Sequence, residues 1–210
     1  MNDLIPLLSV YVYVGFLVLI SERAIKNELI GRKFLHIMVG NIAFLLPFFE
    51  SREVMTFLAA FPFVILTFLM SPYSPIRIQS KTTLSGHALG LFYYSIAWTI
   101  LAFFLFERPD AISMGIVAMS YGDGFASLIG TKYGKRKFSI FGATKSLEGS
   151  LAMFLASVAM FAVIQIYYIG EVSLIILPLA IIATIIEAIT PKGLDNLSVS
   201  IAIALLYVML

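Results

Sequence analysis

Hydrophobic positions in this chain form long, nearly unbroken runs separated by short polar breaks. The runs cover approximately residues 4–20, 34–49, 54–70, 88–106, 111–130, 147–169, 172–189 and 197–210. The breaks carry charges and helix-interrupting residues, as in Glu50-Ser51-Arg52-Glu53 and Glu107-Arg108-Pro109-Asp110. A membrane-spanning helix needs about 20 mainly apolar residues, within a range of roughly 17–25. A transmembrane barrel would instead need alternating segments of about ten residues. These runs are longer and apolar on every side, so the pattern predicts helices. Asp3 stands where a signal peptide has a basic region, and no small-residue cleavage site follows the first run, so that run reads as a span. The last run is short. The expected count is therefore about eight spans, with seven plus a partly inserted end as the alternative.

Composition narrows the class. Only 26 of the 210 residues are charged, 12% of the chain and about half the usage of a soluble domain. Hydrophobic residues make up 60%, and the mean hydropathy is +1.00. A soluble fold of this size would have too little polar surface to cover such an interior. Disorder, a coiled coil, a collagen-like fibre and a disulfide scaffold are excluded too. With no cysteine, thiol chemistry and thiolate metal sites drop out.

The net charge of +2 says little, but the placement of the charges says more. Twelve of the fourteen basic residues fall in the odd-numbered connections between runs, leaving only Arg52 and Arg108 in the even ones. Basic residues stay on the cytoplasmic side. The expected architecture is an all-α polytopic membrane protein with both termini outside and all odd connections cytoplasmic. No linker, low-complexity tract or repeat divides it, so residues 1–210 read as a single domain. The odd connections also carry most of the polar chemistry, as expected of a membrane enzyme with a cytoplasmic active face.

The richest segment is 120–149. Asp123 lies within an apolar helix, where an ionised carboxylate is costly and usually functional. Lys132, Lys135, Arg136 and Lys137 follow in a glycine-containing loop, and Lys145 and Glu148 open the next helix. Clustered cations beside flexible backbone suit a polyphosphate. Nearby carboxylates suggest Mg2+, normally held by one or two acids together with phosphate oxygens. Two structural readings compete. Gly122, Ala126, Gly130 and Gly134 recur every four residues as a helix-packing face, and the cations alone would serve as a positive-inside anchor. Neither reading accounts for Asp123 beside Gly122 or for the Lys145/Glu148 pair.

These residues resemble the CTP-dependent lipid-alcohol kinases, the family of dolichol, phytol and farnesol kinases and the CTP-using diacylglycerol kinase. The family's nucleotide motif is similar to D-x-x-A-x-x-x-G-x-x-x-G, a spacer of eight, then K-K-T-x-E-G. Asp123, Ala126, Gly130 and Gly134 match the first part; Lys145, Ser146, Glu148 and Gly149 match the second as K-S-x-E-G. Thr144 replaces the first lysine, and the spacer is one residue longer. The resemblance implies nucleotide binding by Gly130, Lys132, Gly134, Lys135, Lys137, Lys145, Ser146 and Gly149. It implies Mg2+ on Asp123, Glu148 and Asp195.

Three further cytoplasmic segments extend the resemblance. Arg32-Lys33-x-x-His36 is similar to the family's R-K-x-x-H. At this spacing the basic residues and His36 share a helical face, where they would meet a phosphate or a lipid hydroxyl, or else anchor the helix at the interface. His87 lies at a predicted helix start and would hold an anion or the substrate hydroxyl, with a capping role for that stretch as the alternative. Glu187 ends one apolar run while Asp195 and Asn196 begin the next, similar to the family's E…G-x-D-N. Asp195 would act there as a metal ligand or base, or simply as a helix cap.

The expected activity is transfer of the γ-phosphoryl group of CTP to the hydroxyl of a membrane-embedded isoprenoid or glycerolipid alcohol. Asp123, Lys145, Glu148, Asp195 and His36 are the candidate catalytic residues. Arg32, Lys33, His36, His87, Glu187 and Asn196 are candidates for substrate or phosphate contact. The expected partners are the lipid alcohol, CTP and the membrane, with no nucleic acid; an oligomeric state is not legible. A CTP:phosphatidate cytidylyltransferase is the nearest alternative, but its closing H-G-G-x-x-D-R-x-D signature is not matched by Lys192-Gly193-Leu194-Asp195-Asn196. A small transporter is the lesser alternative, since its acids usually lie near the midplane in paired halves.

Overall fold

Inside a bilayer every backbone polar group must find its partner within the chain, and apolar runs satisfy this as helices. The computed structural model describes residues 2–76, 89–140, 143–191 and 193–210. His87 and Lys192 lie outside them. Eight apolar helices run through the described residues: α1 (Leu4–Arg23), α2 (Glu28–Phe48), α3 (Val54–Leu69), α4 (Gly90–Phe104), α5 (Pro109–Tyr133), α6 (Leu147–Ile169), α7 (Ile176–Ile189) and α8 (Asp195–Met209). Four of them, α1, α2, α5 and α6, are long and apolar enough to cross a membrane, and the other four are shorter. The protein is a helical membrane protein.

Two departures from the sequence pattern bear on function. First, α2 starts at Glu28, six residues before its apolar run. The Asn27 side chain accepts the Ile30 N–H at 3.0 Å and caps the helix, which puts Arg32, Lys33 and His36 on it. Second, segment 120–149 is not mainly loop. α5 continues through Lys132 to Tyr133, and a hairpin of β1 (Lys137–Ile140) and β2 (Ala143–Ser146) follows. This hairpin is the only sheet among the described residues and departs from an all-helical chain.

The chain divides into two compact units, Met1–Pro109 and Asp110–Leu210. In the first, Asp3 ties the start of α1 to the α2–α3 turn by accepting the backbone N–H groups of Glu50 at 2.7 Å and Ser51 at 3.3 Å. The hydroxyls of Thr67 on α3 and Ser95 on α4 are 2.7 Å apart. Large apolar side chains along α1, including Leu4, Leu8, Val12 and Phe16, are exposed, as expected of a helix face that meets lipid.

In the second unit α5 is the central helix. In its most apolar stretch 72% of residues are buried, against 22% in α1. Glycines allow the close packing. A Cβ on Gly115 would lie 2.2 Å from the Ser200 carbonyl oxygen of α8, and one on Gly122 would lie 2.6 Å from Met153 Sδ of α6.

Candidate active site

Three local features converge in Asp110–Leu210. α5 widens into a π-helical turn over Ala118–Asp123, a form of helix often found at functional sites. Its last residue is Asp123. Between α7 and α8 the chain reverses at Gly193, whose φ of 89° lies in the left-handed region that favours glycine. That turn brings Glu187, near the end of α7, close to Asp195, the first residue of α8. Finally, β2 pairs with β1 in the register Phe138↔Lys145 and carries Lys145 into the same place.

Asp123, Glu187 and Asp195 are each buried, and one carboxylate oxygen from each lies within 4.8 Å of the other two. Lys145 Nζ donates to Glu187 and, at 3.2 Å, to Asp195. Burial works against the Lys145 ammonium, but Glu187, Asp195 and Asp123 outweigh it and hold its pKa above the ordinary lysine value. Three buried carboxylates drawn this close together around one ammonium form a group that could hold a metal ion. The donors are all oxygen, the set that a hard ion such as Mg2+ takes from a protein.

Glu148 stands apart from this cluster. Its carboxylate accepts the backbone N–H groups of Lys135 at 3.1 Å and Arg136 at 3.3 Å, clasping the loop after α5 onto the start of α6. Glu187 therefore completes the acidic trio that the sequence assigned to Asp123, Glu148 and Asp195. Around the clasp, Lys132, Lys135, Arg136 and Lys137 are exposed.

The small residues of the motif pack against one another. Ser146 caps α6 by accepting the Gly149 N–H at 3.1 Å, and a Cβ on Gly149 would lie 2.9 Å from the Ala126 carbonyl oxygen. Cβ atoms on Gly130 and Gly134 would lie 3.1 and 2.7 Å from Ser146 Oγ. Gly130, Gly134, Ser146 and Gly149 thus position the basic loop through backbone proximity. Asn196 is buried beside Asp195, whose carboxylate accepts its N–H at 3.1 Å.

The remaining candidates belong to Met1–Pro109. Arg32 and Lys33 are half-buried on α2. His36 is buried with its ring 4.8 Å from that of Tyr94, and the Tyr94 hydroxyl donates to the His36 carbonyl oxygen at 3.1 Å. His36 also lines a half-open, largely apolar cavity of about 200 Å³ between α1, α2, α3 and α4. No periodicity in the sequence indicates this cavity, because apolar residues that line a void and those that fill one look alike.

Comparison with known proteins adds an independent line. The chain is 30% identical over 203 residues to phytol kinase of Synechocystis sp., an alignment covering 92% of this chain and 86% of that protein. It is 27% identical over 211 residues to a probable chloroplastic phytol kinase of Zea mays, covering 87% of this chain and 67% of the relative. To phytol kinase 1 of Arabidopsis thaliana it is 26% identical over 207 residues, with coverages of 87% and 67%. No family model matches the chain. No solved structure matches it significantly. Near full-length likeness to these kinases shows that the protein belongs to the lipid-alcohol kinase family of which phytol kinase is a member.

Proposed function

We propose that this protein transfers the γ-phosphoryl group of CTP to the hydroxyl of a membrane-embedded isoprenoid alcohol of the phytol or polyprenol type. The observation that carries the reading is the buried Asp123–Glu187–Asp195 cluster with Lys145 bonded into it. Phosphoryl transfer is catalysed chiefly by positioning and by neutralising charge, and this cluster concentrates the charges such a step needs.

Asp123, Glu187 and Asp195 would hold Mg2+, which when bound supplies positive charge to the phosphates. Lys145 would exchange part of its carboxylate contact for phosphate oxygens as the nucleotide enters. Lys132, Lys135 and Lys137 extend that field outward, and Glu148 keeps their loop in register. One carboxylate of the cluster takes the proton as the alcohol oxygen bonds to the γ-phosphorus. The bond to the bridging oxygen then breaks, and CDP leaves.

In the topology that the basic residues favour, the eight helices are eight passes, and the odd connections, with the cluster at their margin, face the cytoplasm. The shorter helices, α4 and α7 among them, would be accommodated by local thinning of the bilayer.

The test is a matrix of labelled CTP and ATP against phytol, geranylgeraniol, dolichol and diacylglycerol, with mass detection of products. CDP together with a prenyl monophosphate is expected. Pyrophosphate with a CDP-lipid would assign a cytidylyltransferase instead, and no phosphorylated lipid from any pair would end the kinase reading.

A further inference from the structure

We infer that the apolar cavity of Met1–Pro109 seats the isoprenoid chain of the alcohol. The inference rests on the kinase reading above and specifies where that substrate binds. Along α1 the wall is formed by Val10, Val14, Val18 and Glu22, which repeat every four residues on one helical face. Their twelve-residue separation corresponds to roughly 18 Å at 1.5 Å per residue, more than half the ~30 Å hydrocarbon thickness of a bilayer.

The lining along this length is almost wholly apolar, with Leu46, Met55 and Ala102 among its residues, and the hydroxyls of Thr67 and Ser95 are bonded to one another. A long apolar chain has the matching character. Trp98 adds its side chain to the wall at 8% exposure.

The experiment uses the full chain in nanodiscs with a geranylgeraniol analogue carrying a photoreactive diazirine. Adducts are mapped by mass spectrometry in the presence of unlabelled geranylgeraniol or of added phospholipid. Expected are adducts on cavity residues such as Val14, Leu46 and Trp98, reduced at least tenfold by the alcohol and not by phospholipid. Adducts confined to outward-facing residues such as Leu8 and Phe16, or displaced by phospholipid alone, overturn the inference.

One substitution sharpens the test. Ala102→Phe shortens the cavity and should lower the ratio of geranylgeraniol to farnesol turnover at least tenfold. If Ala102→Phe does not fold, Ala59→Leu repeats the test from α3, and an unchanged chain-length ratio there overturns the inference. Cavity adducts on a protein that phosphorylates no alcohol keep the site and remove the kinase reading. Turnover with adducts elsewhere does the reverse.

Discussion

Met1–Pro109 and Asp110–Leu210 are built from the same material, four apolar helices each among the described residues, yet they enclose opposite things. The first surrounds a cavity walled largely by apolar side chains such as Val, Leu, Met and Ala. The second surrounds three carboxylates and a lysine. Helices enter the two interiors differently as well. Gly15 on α1 has nothing within 4 Å of where a Cβ would stand, whereas Gly115 on α5 is pressed against the Ser200 backbone. Low overall charge therefore does not mean a uniform interior. Charge is tolerated where partners from α5, α7, α8 and the hairpin meet it, whereas the void in the first unit is lined almost wholly by apolar groups.

The contrast can be broken at several points. Asp123→Asn removes one carboxylate from the cluster and nearly preserves its shape. Turnover should fall by at least about 10³-fold, the scale of losing a preorganised charge at a phosphoryl group, with the melting temperature little changed. Near-normal kcat in a folded Asp123→Asn protein would remove the cluster from the chemistry.

Lys145→Met removes the cation bonded to Glu187 and Asp195. Loss of one partner from a buried ionic cluster costs about 3–5 kcal/mol, so the variant should melt well below wild type in chelator. Millimolar Mg2+ should restore part of that loss, because an ion that binds only the folded state stabilises it. Absence of any Mg2+ effect on either protein would show that the acids do not bind the metal.

The packing contrast predicts a smaller pair of effects. Gly115→Ala should destabilise by about 1–3 kcal/mol, since the methyl meets backbone 2.2 Å away and overpacking outweighs the gain in helix propensity. Gly15→Ala, in open space, should be neutral or stabilise by up to about 1 kcal/mol. Equal shifts in thermal or denaturant unfolding would erase the difference between the two interiors.

Glu148→Gln should leave the fold intact and loosen the loop that carries Lys135 and Arg136. A rise of roughly tenfold in the KM for nucleotide is expected, with a lesser change in kcat. An equal fall in kcat would place Glu148 in the transition state instead of in the clasp.

Much of this was legible in residue order. The apolar runs mark the helices because backbone satisfaction in lipid leaves few alternatives, and α6 begins and ends where its run does. Asp123 stands out because a carboxylate in an apolar helix needs a reason. The same argument applied to Glu187, inside the apolar run of α7, is the signal that would have placed it with Asp123. The motif match pointed to Glu148, which follows Lys145 by three residues, but neighbours on adjoining strand and helix need not face one another. The start of α2 and the hairpin were harder to read, because a cap at Asn27 and a four-residue strand leave little periodicity.

The sequence by itself determined the class of molecule, the course of its helices and the motif residues that identify its family, since each depends on local pattern or short-range spacing. Tertiary structure alone decided which acids share a site and where an apolar void opens. Asp123, Lys145, Glu187 and Asp195 are separated by up to 72 positions and meet only through the π turn of α5, the hairpin register and the left-handed Gly193. The cavity is a surplus of space between helices, and space between side chains is a property of their packing that no single residue carries.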